Sequence, residues 1–177
     1  MTHTPVLARR VLAYCADVSL LFAVLGPLSF AAAGALDVDA WTGPEVWLAA
    51  VLVFSIPTWT YFTVSDASRG GATLGKRLLA VRVAGDGGGR VPPSRALART
   101  AVKLLPWEMV HLFGFLLSPV PGEMSPLQTA GLAAANLLAL AYLAATIRTR
   151  GERAPHDRVA RTHVERVPAP ERAAAVA

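Results

Sequence analysis

The chain has 177 residues, of which 54% are hydrophobic and 16% are charged, and its mean hydropathy is +0.44. Because soluble domains carry about a quarter charged residues, this composition excludes an ordinary soluble domain and a disordered chain. A single cysteine, Cys15, excludes a disulfide-stabilised secreted module. The excess of 17 Lys and Arg over 12 Asp and Glu fits basic segments that lie outside a bilayer. We therefore expect a small, all-α integral membrane protein.

Apolar stretches of the required length occur at four places in the chain. A helix needs roughly 20 residues to cross a hydrocarbon core of about 30 Å. The third stretch is the weakest, because it is short and contains Pro106, Glu108 and His111. Together the stretches predict a four-transmembrane-helix bundle, with spans at about 11–36, 46–64, 104–120 and 127–147.

The basic residues are distributed asymmetrically along the chain. All 17 Lys and Arg precede the first predicted span, lie in the loop 65–103, or follow the fourth span. The positive-inside rule then places both termini and this loop in the cytoplasm. Arg9, Arg10 and the apolar stretch after them also resemble a cleavable export signal. Asp17 inside that stretch, and the loss of the charge alternation on cleavage, favour a retained span.

The loop 65–103 is expected to be structured. Its apolar run 78–83 and the glycine-rich segment 85–89 predict a strand and a turn, with Val91 pairing back to form a small hairpin. A helix is expected after Pro93, and on it Arg95, Arg99 and Lys103 recur every four residues as one basic stripe. Such a stripe at the start of a membrane helix is typical of contact with anionic lipid headgroups. Residues 165–177, rich in Pro, Ala and Arg, are predicted to form a disordered cytoplasmic tail.

Several chemistries are disfavoured by the residues present. The segment 70–76 has the spacing of a phosphate-binding loop up to Lys76, but Arg77 replaces the Ser or Thr that would hold magnesium. His156 and Asp157 alone are too few ligands for a metal site. Because no nucleophile–base pair or metal-ligand spacing is found, we expect no enzyme activity, cofactor or metal. Nucleic acid is not an expected partner.

An ordered set of short motifs spans residues 9 to 164, among them the runs 9–17, 71–77 and 156–162. In order and spacing this set resembles the RDD family of bacterial membrane proteins, so residues 1–164 are expected to form one RDD-like membrane domain. The family is named for an arginine and two aspartates, which correspond here to Arg9 or Arg10, Asp17 and Asp157. The resemblance implies a transport role, including sodium/proton exchange in some members, and no known enzyme activity. The positions that carry it are Arg9, Arg10, Asp17, Thr73, Gly75, Lys76, Arg77, His156, Asp157 and Arg158.

Ionisable side chains inside the predicted spans are expensive to bury and are therefore functional candidates. Asp17 on the first span and Glu108 on the third lie at similar depths counted from the cytoplasmic side, and His111 is one turn beyond Glu108. We expect these three residues to converge and to hold a proton or a small cation. A structural alternative is that Asp17 pairs with Arg10, or with a neighbouring helix, and fixes the helix register.

Two hypotheses about function follow from these features. The first is a transport role, such as proton-coupled exchange of a small cation, performed by a homo-oligomer because four helices form a thin bundle. The second is a non-transporting scaffold or accessory subunit that binds a partner or anionic lipid through its basic loop and tail. They differ in that transport requires titration of Asp17 or Glu108, whereas a scaffold does not.

Overall fold

The computed structural model describes residues 5–36, 41–117 and 124–167. Helix α1 comprises Val6–Ala35, and α2 comprises Gly43–Ala67 with a π-helical turn at Val51–Ser55. Helix α3 is Leu74–Leu78 and strand β1 is Val81–Gly85. Helix α4 runs over Pro93–His111 and continues as a π-helical turn over Leu112–Leu116. The remaining elements are helix α5 at Pro126–Arg148, helix α6 at Pro155–Ala160 and strand β2 at Thr162–Arg166.

Among the described residues, three helices are long and apolar enough to cross a membrane. They are α1, α2 and α5, with 30, 25 and 23 residues. Large apolar side chains on their outer faces are exposed, for example Phe30 at 83% and Leu140 at 61%, as expected for surfaces that contact lipid. These helices confirm the membrane nature of the chain and coincide with the predicted spans 11–36, 46–64 and 127–147.

The predicted third span, 104–120, falls on helix α4, and its residues 118–120 lie outside the described part of the chain. Helix α4 is not among the apolar candidates. Its first half carries Arg95, Arg99 and Lys103, and Glu108 follows within the second half. These charges lower its hydropathy below that of α1, α2 and α5.

The π-helical turn in α2 lies directly before Pro57. Proline has no backbone N–H to donate to the preceding turn, and its ring crowds the carbonyl there. The turn accommodates this, with the N–H of Ile56 donating to the carbonyl of Val51, a bond one residue longer than in an α-helix.

The two strands pair antiparallel, from Val81 opposite Arg166 to Gly85 opposite Thr162. The predicted hairpin between 78–83 and Val91 is therefore wrong. A turn in which the Gly88 N–H donates to the Gly85 carbonyl at 2.8 Å ends β1. Val91 is instead fully buried in the core beside the sheet.

Strand β2 also corrects the predicted tail. Glu165 and Arg166 belong to this strand, and the N–H of Val167 donates to the carbonyl of Ala80 at 3.0 Å. The predicted disorder of 165–177 is thus wrong for its first residues, because their backbone pairs with β1 and its neighbours. Residues 168–177 lie outside the described part of the chain.

We call residues 68–92 and 149–167 the cap, since they pack together against one end of the long helices. The core shared by the cap and the helices contains Val81, Val83 and Val91 from the first segment and Val164 from the second. Burial of each valine contributes about 1.5–3 kcal/mol relative to exposure. Two segments far apart in sequence therefore fold as one unit on the helix ends.

Candidate functional site

A buried chain of ion pairs lies where the cap meets the long helices, and we call it the ion network. Arg99, which is 2% exposed, donates to Asp66 through Nη1 and to Asp157 Oδ1 through Nε at 2.9 Å. Lys76 Nζ also donates to Asp66. Arg10 Nη2 donates to the other oxygen of Asp157 at 2.5 Å. The charges alternate along the order Arg10, Asp157, Arg99, Asp66, Lys76.

Each member of the ion network comes from a different element: Arg10 from α1, Asp66 from the last turn of α2, Lys76 from α3, Arg99 from α4 and Asp157 from α6. A buried charge is tolerated when it is paired and its remaining donors and acceptors are bonded. Removal of one member leaves each of its buried partners with one opposite charge fewer, so the ion network links five elements at the helix ends.

Helix α6 begins in a way that fixes the carboxylate of Asp157. Asp157 Oδ2 accepts a 2.7 Å hydrogen bond from the N–H of Ala154, as an acidic residue in the first helical turn commonly does. Burial opposes ionisation of this carboxyl, but the Arg99 and Arg10 guanidiniums outweigh it and hold the pKa of Asp157 well below its usual range. Asp157 is therefore a permanent anion in the folded protein.

The basic members are shifted by the same burial. Burial lowers the pKa of Lys76 to about 8, although Asp66 favours its charged form. Burial also holds the pKa of His156 well below its usual range, with the Arg99 guanidinium acting in the same direction. His156 is therefore neutral at pH 7.

Asp17 forms a second polar group beside the ion network. Its carboxylate, 1% exposed, accepts the Tyr61 hydroxyl at 2.6 Å, the Thr73 hydroxyl at 2.6 Å and the N–H of Gly75 at 2.7 Å. These bonds tie α1 to α2 and to the start of α3. Of the two structural alternatives for Asp17, the structure has the one in which it bonds to neighbouring elements. It does not have the pairing with Arg10, which binds Asp157 instead.

Glu108 and His111 form a third polar group, which we call the Glu108–His111 pair. Glu108 Oε2 lies 3.6 Å from His111 Nδ1. The Ser55 hydroxyl donates to this same Oε2 at 2.9 Å and lies 3.0 Å from His111 Nδ1. Trp59 Nε1 donates to the other carboxylate oxygen at 2.9 Å. The pair on α4 is thus bonded to two residues of α2.

The predicted convergence of Asp17 with Glu108 and His111 is not observed. The hydrogen-bond partners of Asp17 are Tyr61, Thr73 and Gly75, and the Glu108–His111 pair shares none of them. The physical reason is that similar depth along two helices does not determine the direction in which each side chain faces. The segment before α3 packs on α1 and reaches Asp17, so the carboxylate is used there.

The predicted basic stripe is also corrected. Arg99 is buried by α2 and α6 and pairs with Asp66 and Asp157. Lys103 is half-buried, and its Nζ lies 2.9 Å from the centroid of the Phe62 ring. Arg95 is exposed. Since Arg99 faces the interior and is paired there, the predicted headgroup contact is wrong for Arg99.

The other positions of the family motifs have separate roles. Arg9 Nη1 donates to the carbonyl of Leu79 at 2.8 Å, and Arg77 Nε to that of Ala72 at 3.3 Å. His156 Nε2 lies 2.7 Å from Arg10 Nη2, whereas Arg158 is exposed. Sequence reasoning missed the site residues Ser55, Trp59, Tyr61 and Asp66. Asp66 gave a usable signal, since it is an acidic residue next to a span in a loop whose charged residues are mostly basic.

Three cavities follow one another through the helices. The first, about 360 Å³, is next to the ion network, the second is about 280 Å³ and the third is about 720 Å³. Trp107 lines all three, and His111 lines the third. The stacked rings of Tyr14 and Phe62, 6.3 Å apart, line the first and second. Phe22, whose ring is 5.5 Å from that of Trp107, lines the second and third.

The sequence profile of the RDD family matches residues 4–161, and the chain therefore belongs to the RDD family. No curated protein matches the chain, and no solved structure matches it. The family and the apolar helices α1, α2 and α5 together identify a membrane protein.

Proposed function

We propose that this RDD family membrane protein transports a small cation in exchange for protons, and that the Glu108–His111 pair holds the proton. The observation that carries the proposal is the location of the pair. A carboxylate and an imidazole lie within one turn of a helix, joined through the Ser55 hydroxyl, beside a cavity lined mostly by apolar side chains. Ionisable residues in such surroundings mark proton and ion pathways in membrane proteins.

The bonding of the pair suits a transferable proton. The Ser55 hydroxyl has one hydrogen, so when it donates to Glu108 it accepts from Nδ1–H of His111. A proton can therefore be held by the carboxylate or by the imidazole with small rearrangements. A cation near Glu108 favours the ionised carboxylate and displaces the proton. This competition is the basis of exchange.

The cavities supply a route past the pair. They contact each other through rings of Tyr14, Phe22, Phe62 and Trp107. Aromatic rings change rotamer without breaking hydrogen bonds, so they act as gates between compartments. The first cavity lies beside the ion network and the third beside His111.

We propose that α4 is a fourth span and that both termini lie in the cytoplasm of the bacterial inner membrane. The ion network supports this arrangement, because it joins the start of α1, the end of α2, the first half of α4 and the segment after α5. These parts then share one side of the membrane. Helix α5 must begin on the other side, which requires α4 to cross. The 17 basic residues favour the cytoplasm as the shared side.

The test is proton flux driven by a cation gradient in proteoliposomes. Glu108→Gln keeps the size of the side chain and an acceptor for Trp59, so the variant is expected to fold and to lose flux. Glu152→Gln makes the same charge change at an exposed position and is the matched control. Equal flux in both variants contradicts the assignment of the pair. A parent protein without flux contradicts transport itself.

The second candidate function is a scaffold that binds an acidic partner. It is favoured by exposed basic side chains on the cap, including Arg69, Arg77 and Arg90. In this case the protein shows no flux with sodium, lithium or potassium ions. Charge reversal at Arg69 and Arg77 then releases an associated partner.

A homo-oligomer accompanies the transport proposal, since four helices enclose a narrow interior.

A further inference from the structure

The charges around the first cavity do not balance. Two carboxylates of the ion network, Asp66 and Asp157, are bonded to Arg10, Lys76 and Arg99. Asp17 accepts from neutral donors. Lys103 is a fourth cation at this cavity, and no ion pair or hydrogen bond joins its Nζ to a described residue. Its contact is the face of the Phe62 ring. Four cations thus face three carboxylates.

Two more donors at the same cavity lack an acceptor. The guanidinium of Arg10 can only donate, so His156 Nε2, 2.7 Å from it, is the accepting nitrogen and Nδ1 carries the proton. His156 is 8% exposed, and its Nδ1 has no hydrogen-bond partner among the described residues. Trp107 Nε1 is likewise buried without a partner in that part of the chain. Both residues line the cavity, and buried donors are normally satisfied.

Most of the remaining wall is apolar, and Asn136, Tyr142 and Thr146 of α5 are its polar members. Pro106 and Val110 of α4 face Ala135, Ala139 and Leu143 of α5 across the cavity. Two further lining side chains mark its mouth: Tyr14 of α1 is 43% exposed and Leu143 is 46% exposed. The mouth therefore lies between α1 and α5, on surfaces that contact lipid. A molecule that enters there needs an apolar part, and only its inner end meets the donors.

We propose that the first cavity binds an acidic amphiphile, whose anionic oxygens accept from Lys103, His156 and Trp107 while its apolar chain lies between α4 and α5. A phosphodiester or a carboxylate carries the single negative charge that balances the surplus cation. This site differs from a surface contact with headgroups, because Lys103 faces the interior. It does not depend on the proposed transport role.

The experiment is thermal unfolding of the delipidated protein in neutral detergent. The probes are phosphatidylglycerol, oleate, phosphatidylcholine and inorganic phosphate. Lys103→Met removes the charge and keeps an apolar stem, and Arg95→Met makes the same change at an exposed position of the same helix. Removal of an unpaired buried cation does not endanger folding. We therefore expect the lipid-free Lys103→Met variant to be at least as stable as the parent.

The parent is expected to be stabilised by phosphatidylglycerol or oleate, and not by phosphatidylcholine. Lys103→Met should weaken this binding about 30-fold or more, and Arg95→Met should leave it unchanged. Equal stabilisation by phosphatidylglycerol and phosphatidylcholine overturns the site. An equal loss of phosphatidylglycerol binding in Lys103→Met and Arg95→Met also overturns it. Stabilisation by inorganic phosphate as large as by phosphatidylglycerol overturns the amphiphile and assigns a small-anion site instead.

Discussion

The backbone N–H of Gly75 donates a 2.7 Å hydrogen bond to the carboxylate of Asp17. The backbone of the first turn of α3 in the cap is therefore in direct contact with a side chain of the membrane helix α1. A Cβ at position 75 would lie 2.8 Å from Asp17 Oδ1 and would collide with the carbonyl of Ala13. Position 75 is thus restricted to glycine by close approach, and the hydroxyl of Thr73 completes the same contact.

Replacement of Gly75 by alanine is expected to destabilise the protein by about 1–3 kcal/mol, because the added methyl pushes α3 away from α1. Thermal unfolding in detergent measures the effect. Gly70→Ala is the control, since no atom lies within 4 Å of a Cβ at that exposed position. Equal stability of the two variants would show that the α1–α3 contact is looser than described.

Asp66→Asn should cost about 3–5 kcal/mol, because it leaves Arg99 and Lys76 buried with one carboxylate fewer. The matched change, Asp86→Asn, breaks a surface pair with Arg153 whose side chains are 37% and 46% exposed. That change should cost at most about 1 kcal/mol. Chemical unfolding of both variants in the same detergent measures the difference. Similar losses in both would contradict a buried, energetically coupled ion network.

The stability of the protein should fall as the pH is lowered below about 6.5, the usual pKa of histidine. Burial holds the pKa of His156 in the folded state well below this value. Between the two pKa values the unfolded chain binds a proton that the folded protein does not, so stability decreases with falling pH. The His156 contribution reaches at most about 1.4 kcal/mol per pH unit.

His156→Gln should reduce this slope, since the glutamine carbonyl accepts from Arg10 without titrating. His163→Gln is the control for this variant, because it removes a histidine at a half-exposed position of β2. Unfolding between pH 5 and 7.5 without anionic lipid gives the three slopes. A parent slope that His156→Gln leaves unchanged would assign the pH dependence to another group.

The four-span arrangement predicts which surfaces a membrane-impermeant thiol reagent reaches. In a Cys15→Ser background, Met124→Cys should react from outside intact cells, and Glu152→Cys only after the membrane is permeabilised. Both side chains are exposed, and they lie at opposite ends of α5. Reaction of both from the same side would mean that α5 does not cross.

Composition and charge were sufficient to predict the apolar helices, because lipid exposure requires long uncharged stretches that are visible in the sequence. Strand pairing was not accessible in the same way. Val83 pairs with Val164, 81 positions further along the chain, and the glycine-rich turn favoured a local partner. Because β2 is far from β1 in sequence, the residue pattern of β1 does not indicate which strand it pairs with.

The candidate site was predicted in some of its members but not in its grouping. Asp17, Glu108 and His111 attract notice because charge is costly in a membrane, yet their partners depend on which way each helix faces. Arg99 illustrates the same limit. A repeat of every four residues predicts one face of α4, but only packing against α2 and α6 shows that Arg99 on this face is buried.

Proton release on cation binding tests the proposed exchange most directly. Purified protein in weakly buffered detergent is mixed with sodium chloride or with choline chloride, and a pH indicator reports the protons. The parent should release up to about one proton per chain with sodium and none with choline, and Glu108→Gln should release none. Equal release from the parent and from Glu108→Gln, or no release with sodium, lithium or potassium, would contradict the role of Glu108 as the exchanging carboxylate.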